Sequence, residues 1–363
     1  MRRITALFFL LSAMMLSGSD LYVWQRQHSM ALLKNTSEFY KSSSGKLYFL
    51  AGEMENTGRS VAVKPSPGVI FDRAVPVIRI HIQLMKRSPE LLADEVIRLY
   101  EPWKKCQALQ IDLDAPESKL DYYTLLMDAL RKKLPKTELS ATVLPCHLKH
   151  KKAFQKLADS CDYFVLQVHG LSKTKNRWFI MDEAIARNAI KEANALKKPY
   201  KAALPLYAHT VSGGLSVQPD LYLTAQLAQE APAVIGFRLN EPGEAEALDL
   251  ASALEILQGK YTPQLDIFWQ QQANGAWYLM VRNKGFFPQQ IACKFNLPPG
   301  TVIMDMDIFS SGKLDRMERT VTFTLPPPGT AKACMWLRCS TKEKLNLENA
   351  FSIKFNPEKP VKP

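Results

Sequence analysis

Eight short β-rich runs, at 21–26, 46–53, 75–82, 108–114, 139–144, 162–169, 200–207 and 233–240, begin 23 to 38 residues apart. That interval fits a strand followed by a returning helix, the crossover that parallel strands require and hairpin partners do not. Between the runs, segments 89–100, 119–134, 154–160, 178–196 and 244–257 carry apolar residues at three- and four-residue spacing, as a helix with one buried face requires. The pattern from Asp182 to Leu196 is the clearest, and Lys197-Lys198-Pro199 stops it before the next run. The stretch 55–73 is rich in Gly, Pro and polar residues and predicts a loop in place of a helix. Alternating strands and helices in eight units predict an α/β fold, a (β/α)8 TIM-type barrel over residues 20–260. A doubly wound open sheet is the competing architecture, but its dinucleotide-binding form lacks the G-x-G-x-x-G that should follow an early strand.

From residue 261 the texture changes. Runs at 277–282, 290–295, 319–325 and 333–338 are separated by Asn-Gly, Ser-Gly and Pro-Pro-Gly turn signals, with no helical periodicity. Residues 261–355 are therefore expected to form a small β-sandwich-like domain, followed by a disordered tail at 356–363. With 363 residues, 47% hydrophobic, the chain has enough apolar material for one large core and a smaller second one.

The amino terminus reads as an address. Arg2 and Arg3 precede an apolar run at 4–16, and Ser17-Gly18-Ser19 supplies small residues for cleavage, so 1–19 is expected to be a signal peptide and the protein to be exported, periplasmic or extracellular. The run is shorter than the ~20 residues of a spanning helix, and no later segment reaches that length. Ser19 stands where a lipoprotein would carry its lipid-bearing cysteine. In an exported chain, Cys106, Cys146, Cys161, Cys293, Cys334 and Cys339 allow disulfides, with ~15 connectivities open. No C-x-x-C pair or Cys/His spacing suggests structural zinc, and nothing suggests a nucleotide, flavin or haem cofactor. The net charge of +12 is spread along the chain, and its densest run, 147–152, is short and reads as a solvated loop face that includes His147 and His150. Without a nucleic-acid motif or aromatic-interleaved basic stretch, nucleic acid is not among the expected partners.

Side chains on a strand alternate between faces, and the face packed on helices must be apolar. In 108–114 that face takes Leu109, Ile111 and Leu113, which turns Gln110, Asp112 and Asp114 into the barrel. The same reasoning turns inward Trp24 and Arg26 of the first run, Glu53 of the second, Arg79 and His81 of the third, Gln167 and His169 of the sixth, Tyr207 of the seventh, and Arg238 and Asn240 of the eighth. These polar residues gather toward the carboxyl ends of the runs, the face on which barrel enzymes carry their sites. Two carboxyls in one cavity can divide acid and base roles, and Asp112 and Asp114, two residues apart on one face, should push one another toward protonation. The expected site is glycosidase-like, with Asp114 or Glu53 as proton donor, the other carboxylate as nucleophile or water activator, and Asp112 as a third catalytic residue beside them. Trp24, Arg26, Arg79, His81, Gln167, His169, Tyr207 and Arg238 would bind a polysaccharide. An ion-pair network plugging the barrel is the structural alternative, since three acids (Glu53, Asp112, Asp114) meet three guanidiniums (Arg26, Arg79, Arg238).

The run from Leu109 to Pro116, followed by Ser118-Lys119-Leu120-Asp121-Tyr122-Tyr123, resembles a bacterial family known as domain of unknown function 3142. So do Leu47-Tyr48-Phe49-Leu50-Ala51-Gly52-Glu53, Leu166-Gln167-Val168-His169-Gly170 and Ala203-Leu204-Pro205-Leu206-Tyr207. The likeness covers most of the exported chain and carries no activity over. More distantly, the Asp112-Leu113-Asp114 strand, followed by a helix ending Ala129-Leu130-Arg131, is similar to the catalytic strand of family 18 chitinases. Those enzymes place their acid two residues beyond the second aspartate, where this chain has Pro116, and Glu117 is one residue out of phase. The resemblance implies a glycosidase-type barrel without the chitinase acid. Two other functions compete with an exported hydrolase: a non-catalytic glycan-binding or envelope interaction protein on a degenerate barrel, and metal-assisted hydrolysis through His81, Asp112 and His169. An early-strand His-x-His pair, frequent in metal-binding barrels, is missing from Trp24-Gln25-Arg26.

Overall fold

Each of the eight β-rich runs forms a strand in the structure, a computed structural model. It describes residues 18–174, 178–212, 216–239, 248–261, 265–271, 276–283, 289–297, 301–308, 313–315, 320–325, 334–340 and 351–355. The strands are β1 (Asp20–Val23), β2 (Leu47–Met54), β3 (Ala74–Ile80), β4 (Ala108–Asp112), β5 (Glu138–Val143), β6 (Tyr163–Gln167), β7 (Tyr200–Pro205) and β8 (Val234–Phe237). They hydrogen-bond in sequence order, and β1 pairs with both β2 and β8, which closes the eight strands into the (β/α)8 barrel. The short strand Ser60–Ala62 adds antiparallel to the carboxyl end of β2 within the 55–73 loop.

The helices are α1 (Met30–Ser42), α2 (Pro89–Tyr100), α3 (Leu120–Lys133), α4 (Lys151–Asp159), α5 (Glu183–Ala195), α6 (Leu221–Glu230) and α7 (Leu250–Leu257). Five of them start on a side-chain cap: Ser29, Ser88, Asp182, Asp220 and Asp249 each accept from the backbone N–H three residues on. The α2 face that packs inward is Leu92, Ala93, Val96, Leu99 and Tyr100, the three- and four-residue spacing read from the sequence. Two local expectations change. α1 was not anticipated, because it buries only Leu32, Thr36 and Phe39 and leaves Met30 82% exposed. Trp178–Phe179 does not open a helix but pairs antiparallel with Ser172–Lys173, and α5 begins only after the Asp182 cap. The expected start of the last helix and Asn240 fall in 240–247, and the signal peptide and the tail fall largely or wholly in 1–17 and 356–363, outside the described residues.

The chain divides into two compact units: Met1–Leu166 with Lys198–Lys201 and Ala233–Leu239, and Gln167–Lys197 with Ala202–Pro232 and Asn240–Pro363. In the first, the face of the strands opposite the helices is polar at its centre. Gln110, fully buried, accepts from Tyr22 Oη at 3.0 Å and donates to Thr142 Oγ1 at 2.7 Å, so the amide is satisfied without water. At the amino-terminal ends of the strands, Asp20 accepts from Lys46 N at 2.7 Å and from Lys201 Nζ at 2.5 Å, and the Lys201 ammonium lies over the rings of Tyr48 and Tyr163.

The second unit contains two four-stranded antiparallel sheets built from β9 (Leu265–Gln271), β10 (Trp277–Asn283), β11 (Gln289–Phe295), β12 (Val302–Ile308), β13 (Lys313–Asp315), β14 (Thr320–Leu325), β15 (Cys334–Ser340) and β16 (Phe351–Phe355). Their orders are β9-β10-β15-β12 and β13-β14-β11-β16. Val281, Ile291, Cys293 and Phe295 are buried apolar side chains of these sheets. Cys106, Cys146, Cys161, Cys293 and Cys339 are free thiols. Among the described residues no helix is long and apolar enough to cross a membrane.

Candidate active site

Hydrogen-bonded neighbours in a parallel sheet point the same way, so register decides which side chains meet. Arg79 of β3 is level with Asp112 of β4 and with Glu53 of β2. The second match depends on a bulge. Leu50 is level with Val77, but Gly52 is level with Ile78, so Ala51 is the extra residue. Without it Gly52 would be level with Arg79, and Glu53 would point at the helices. Gly52 occupies that outer side instead, where an added Cβ would come within 3.1 Å of Leu99 and 3.2 Å of Ile78.

A cleft of about 360 Å³ opens over these strand ends, lined in part by Glu53, Glu55, Arg79, His81, Asp112 and Asp114. Glu53 is buried and accepts a short charge-assisted hydrogen bond from Arg26 Nε. Arg26 also reaches Glu55 at 3.8 Å. Arg79 stands between two acids, with Nη1 3.6 Å from Glu53 Oε1 and Nε 4.0 Å from Asp112 Oδ2. Burial pushes the Asp112 carboxyl up from its ordinary 3.8 to about 7, and the neighbouring Asp114 anion adds to the rise. A hydrogen bond with Thr142 and the charge of Arg79 oppose it. Asp114 is exposed and accepts no hydrogen bond among the described residues. His81 caps the turn Ile82–Lys86, its Nδ1 accepting from Gln83 N at 3.2 Å.

The structure thus brings Glu53, Arg79, His81, Asp112 and Asp114 around one cleft, with Arg26 tied to its edge. Most strands end sooner than the sequence pattern predicts, so Trp24, Arg26, His81 and Asp114 sit on the loops that follow. Trp24 is half-buried and meets Tyr22 edge-on at 5.6 Å and Phe237 at 5.2 Å, so packing accounts for much of its surface. Arg238, also half-buried, follows a cis peptide bond after Phe237. Gln167, His169 and Tyr207 belong to the second unit. There Gln167 Nε2 donates to His169 O at 3.2 Å, and the Tyr207 hydroxyl lies 3.4 Å from His169 Nδ1. Burial pushes His169 down to about 3, which keeps its ring neutral at ordinary pH. Among the described residues no three His, Cys, Asp or Glu side chains group so as to hold a metal ion.

One reading is overturned. His147 does not lie on a solvated face. It is fully buried, its Nδ1 accepting from Leu144 N at 3.1 Å and its Nε2 donating to Ala115 O at 2.7 Å. Burial pushes its pKa down, consistent with a neutral ring serving both bonds. It therefore fixes the segment just after Asp114. His150 is exposed as expected and pairs with Glu117 at 2.6 Å. Nothing in the lysine-rich spacing around His147 announced a buried ring, whereas alternation alone places Tyr22 with Trp24 and Gln110 with Asp112.

A family model described as domain of unknown function (DUF3142) matches residues 72–265. The chain belongs to the DUF3142 family. Solved structures similar to this DUF3142 protein include a chitinase from Chromobacterium violaceum ATCC 12472, at 8% identity and a TM-score of 0.48, covering 68% of this chain and 99% of that one. A class V chitinase from Pseudomonas fluorescens Pf-5 is 10% identical, with a TM-score of 0.41 and coverage of 88% and 87%. The spore cortex-lytic enzyme SleL of Bacillus megaterium QM B1551 is 10% identical, with a TM-score of 0.42 and coverage of 72% of this chain and 64% of that enzyme. No curated protein matches the chain.

Proposed function

We propose that this DUF3142 protein is an exported glycoside hydrolase whose proton donor is Asp112. The observation that carries the reading is a buried carboxyl raised to about 7 in a cleft it shares with a second carboxylate, Glu53, compensated by two guanidiniums. An acid that holds its proton near neutrality while a neighbouring carboxylate is charge-paired is the division of labour that glycosidic cleavage needs. Asp112 delivers its proton to the glycosidic oxygen as the bond to the anomeric carbon breaks. Glu53 meets the positive charge that develops on the sugar, either by bonding to the anomeric carbon or by directing a water to it. Arg79, within 4.0 Å of Asp112 and 3.6 Å of Glu53, stabilises the carboxylate that Asp112 becomes. Positioned general acids typically contribute roughly 10²–10⁴-fold in rate.

The test is incubation of the exported protein with cell-envelope and environmental polysaccharides, following release of new reducing ends by mass spectrometry beside Asp112→Asn and Glu53→Gln. Product from the wild type, lost in both variants, is the expected result. Product that persists in both removes these residues from the chemistry. Glycan retained without any product would turn the reading to a binding module.

A further inference from the structure

The barrel interior beneath the cleft carries a hydrogen-bond chain that ends on Asp112. Tyr22 of β1 donates from Oη to Gln110 Oε1 at 3.0 Å, and Gln110 Nε2 donates to Thr142 Oγ1 at 2.7 Å. All three side chains are buried. Gln110 is level with Ser140 across β4 and β5, and Ile111 with Ala141, so Asp112 and Thr142 follow on the same two strands. Thr142 also hydrogen-bonds the Asp112 carboxyl. Chemistry gives this chain a direction. An amide nitrogen only donates, so Thr142 Oγ1 receives the Gln110 proton and keeps its own proton to give to Asp112.

We propose that Thr142, aimed by Gln110, is a positioning residue that turns the Asp112 proton toward the cleft. The use of that proton rests on the hydrolase reading, whereas the bond itself needs no substrate. A hydroxyl proton arriving from the barrel interior takes the carbonyl oxygen of the protonated carboxyl. The acid proton then sits on the other oxygen, on the side where Asp112 lines the cleft. Once that proton has left, the Thr142 bond meets a carboxylate, and such charge-assisted bonds are about twice as strong as neutral ones. A bond that strengthens as the reaction proceeds raises the rate and not only the affinity. Arg79 of β3, Glu53 of β2 and Asp114 on the following loop also act on Asp112, and His81 lines the same cleft. Asp112 acts in turn on the Tyr22 and Tyr123 hydroxyls, which burial pushes well above their ordinary 10, so both stay neutral. Replacing the Thr142 hydroxyl alters none of these charges.

The test compares Thr142→Val, near-isosteric and apolar at a buried position, with Thr142→Ser, which keeps the hydroxyl. Asp112 is titrated by carboxyl carbon NMR from about pH 4 to about pH 10, its signal assigned by its loss in Asp112→Asn. Thr142→Val is expected to move the titration upward by about one pH unit, because the carboxylate loses a donor, and Thr142→Ser to leave it where the wild type has it. A titration that stays in place in Thr142→Val overturns the proposal. So does one that moves down, which would make Thr142 the acceptor of the Asp112 proton. An equal shift in Thr142→Ser overturns it as well, since packing and not the hydroxyl would be responsible. On any glycan that the wild type cleaves, kcat should fall about tenfold in Thr142→Val with KM unchanged, and recover in Thr142→Ser. The expected shift with no glycan cleaved by the wild type supports the Thr142 bond to Asp112 and removes the hydrolase. Cleavage with a titration that Thr142→Val leaves in place supports the hydrolase and removes the role of Thr142.

Discussion

Asp112→Asn should make the protein more stable at neutral pH, with a pH dependence that identifies the residue responsible. In the unfolded chain this carboxyl titrates near 3.8, and in the folded protein near about 7. Between those values the folded state holds a proton that the unfolded state has lost. The sign follows: a raised folded-state pKa contributes stability that is fully present below the unfolded value and is lost as pH rises through the folded one. Each pH unit in that window costs about 1.4 kcal/mol, so across about three units the wild type loses about 4 kcal/mol relative to a side chain that does not ionise. The Asp112 side chain is only 13% exposed, so solvent screening relieves little of this. Asparagine keeps the shape and can still meet Thr142. Urea unfolding midpoints of both proteins, taken at unit intervals from pH 3 to pH 9, should be parallel below about pH 4, diverge in favour of the variant up to about pH 7, and run parallel again above it. A constant difference across that middle window would mean that Asp112 titrates as an ordinary carboxyl, and the case for it as proton donor would go. In the wild type, hydrolysis should fall as pH rises through the same value.

Removing the cation at Arg79 with Arg79→Gln should raise the Asp112 pKa further and move the alkaline limb of the activity profile upward; an unmoved or lowered limb would show that Arg79 does not act on Asp112. His147→Phe leaves Leu144 N–H and Ala115 C=O without their buried partner and should destabilise the protein by about 2–4 kcal/mol, read as a urea midpoint shift at pH 7; a change within ~0.5 kcal/mol would mean the ring holds nothing. Glu117→Gln should leave hydrolysis within about twofold, because Glu117 is exposed and paired with His150, and a hundredfold loss would make Glu117 the acid instead of Asp112.

The barrel was legible because its signal is repeated. Eight strand-plus-helix periods point to one topology, and an error in one, such as α1 with its three buried residues, does not disturb the rest. The inward set was legible by alternation on β3 and β4, where Arg79 and Asp112 fall level. On β2 alternation counted back from Glu53 fails, since Ala51 breaks the phase, and Tyr48 and Glu53, an odd number of residues apart and so opposite by strict alternation, face the same side. His147 was not legible at all. Its burial follows from its contacts with Leu144 and Ala115, and a ring bonded to two backbone groups leaves no periodic trace. Which carboxyl holds the proton also lies beyond composition, because it depends on burial and on neighbouring charge.

That last dependence is why we propose Asp112 as the proton donor. The resemblance to chitinase strands puts the acid two residues beyond the second aspartate, but Pro116 has no proton to give and caps the turn Glu117–Lys119 with extended backbone. Glu117 is directed to His150. A carboxyl keeps its proton near neutrality only where ionisation is costly, through burial or a neighbouring anion. Asp114 is exposed, and Glu53 has two guanidiniums to compensate its charge. Asp112 has burial and an adjacent anion together. The proposed donor therefore belongs to the strand and not to the loop, and the ladder between Arg79 and Asp112 fixes it against the sheet. The Asp114 charge that follows on the loop adds to the rise, so Asp114→Asn should lower the Asp112 pKa and move the alkaline limb of hydrolysis downward, opposite to Arg79→Gln; a limb that stays in place in a pH–rate profile would show that Asp114 does not act on Asp112.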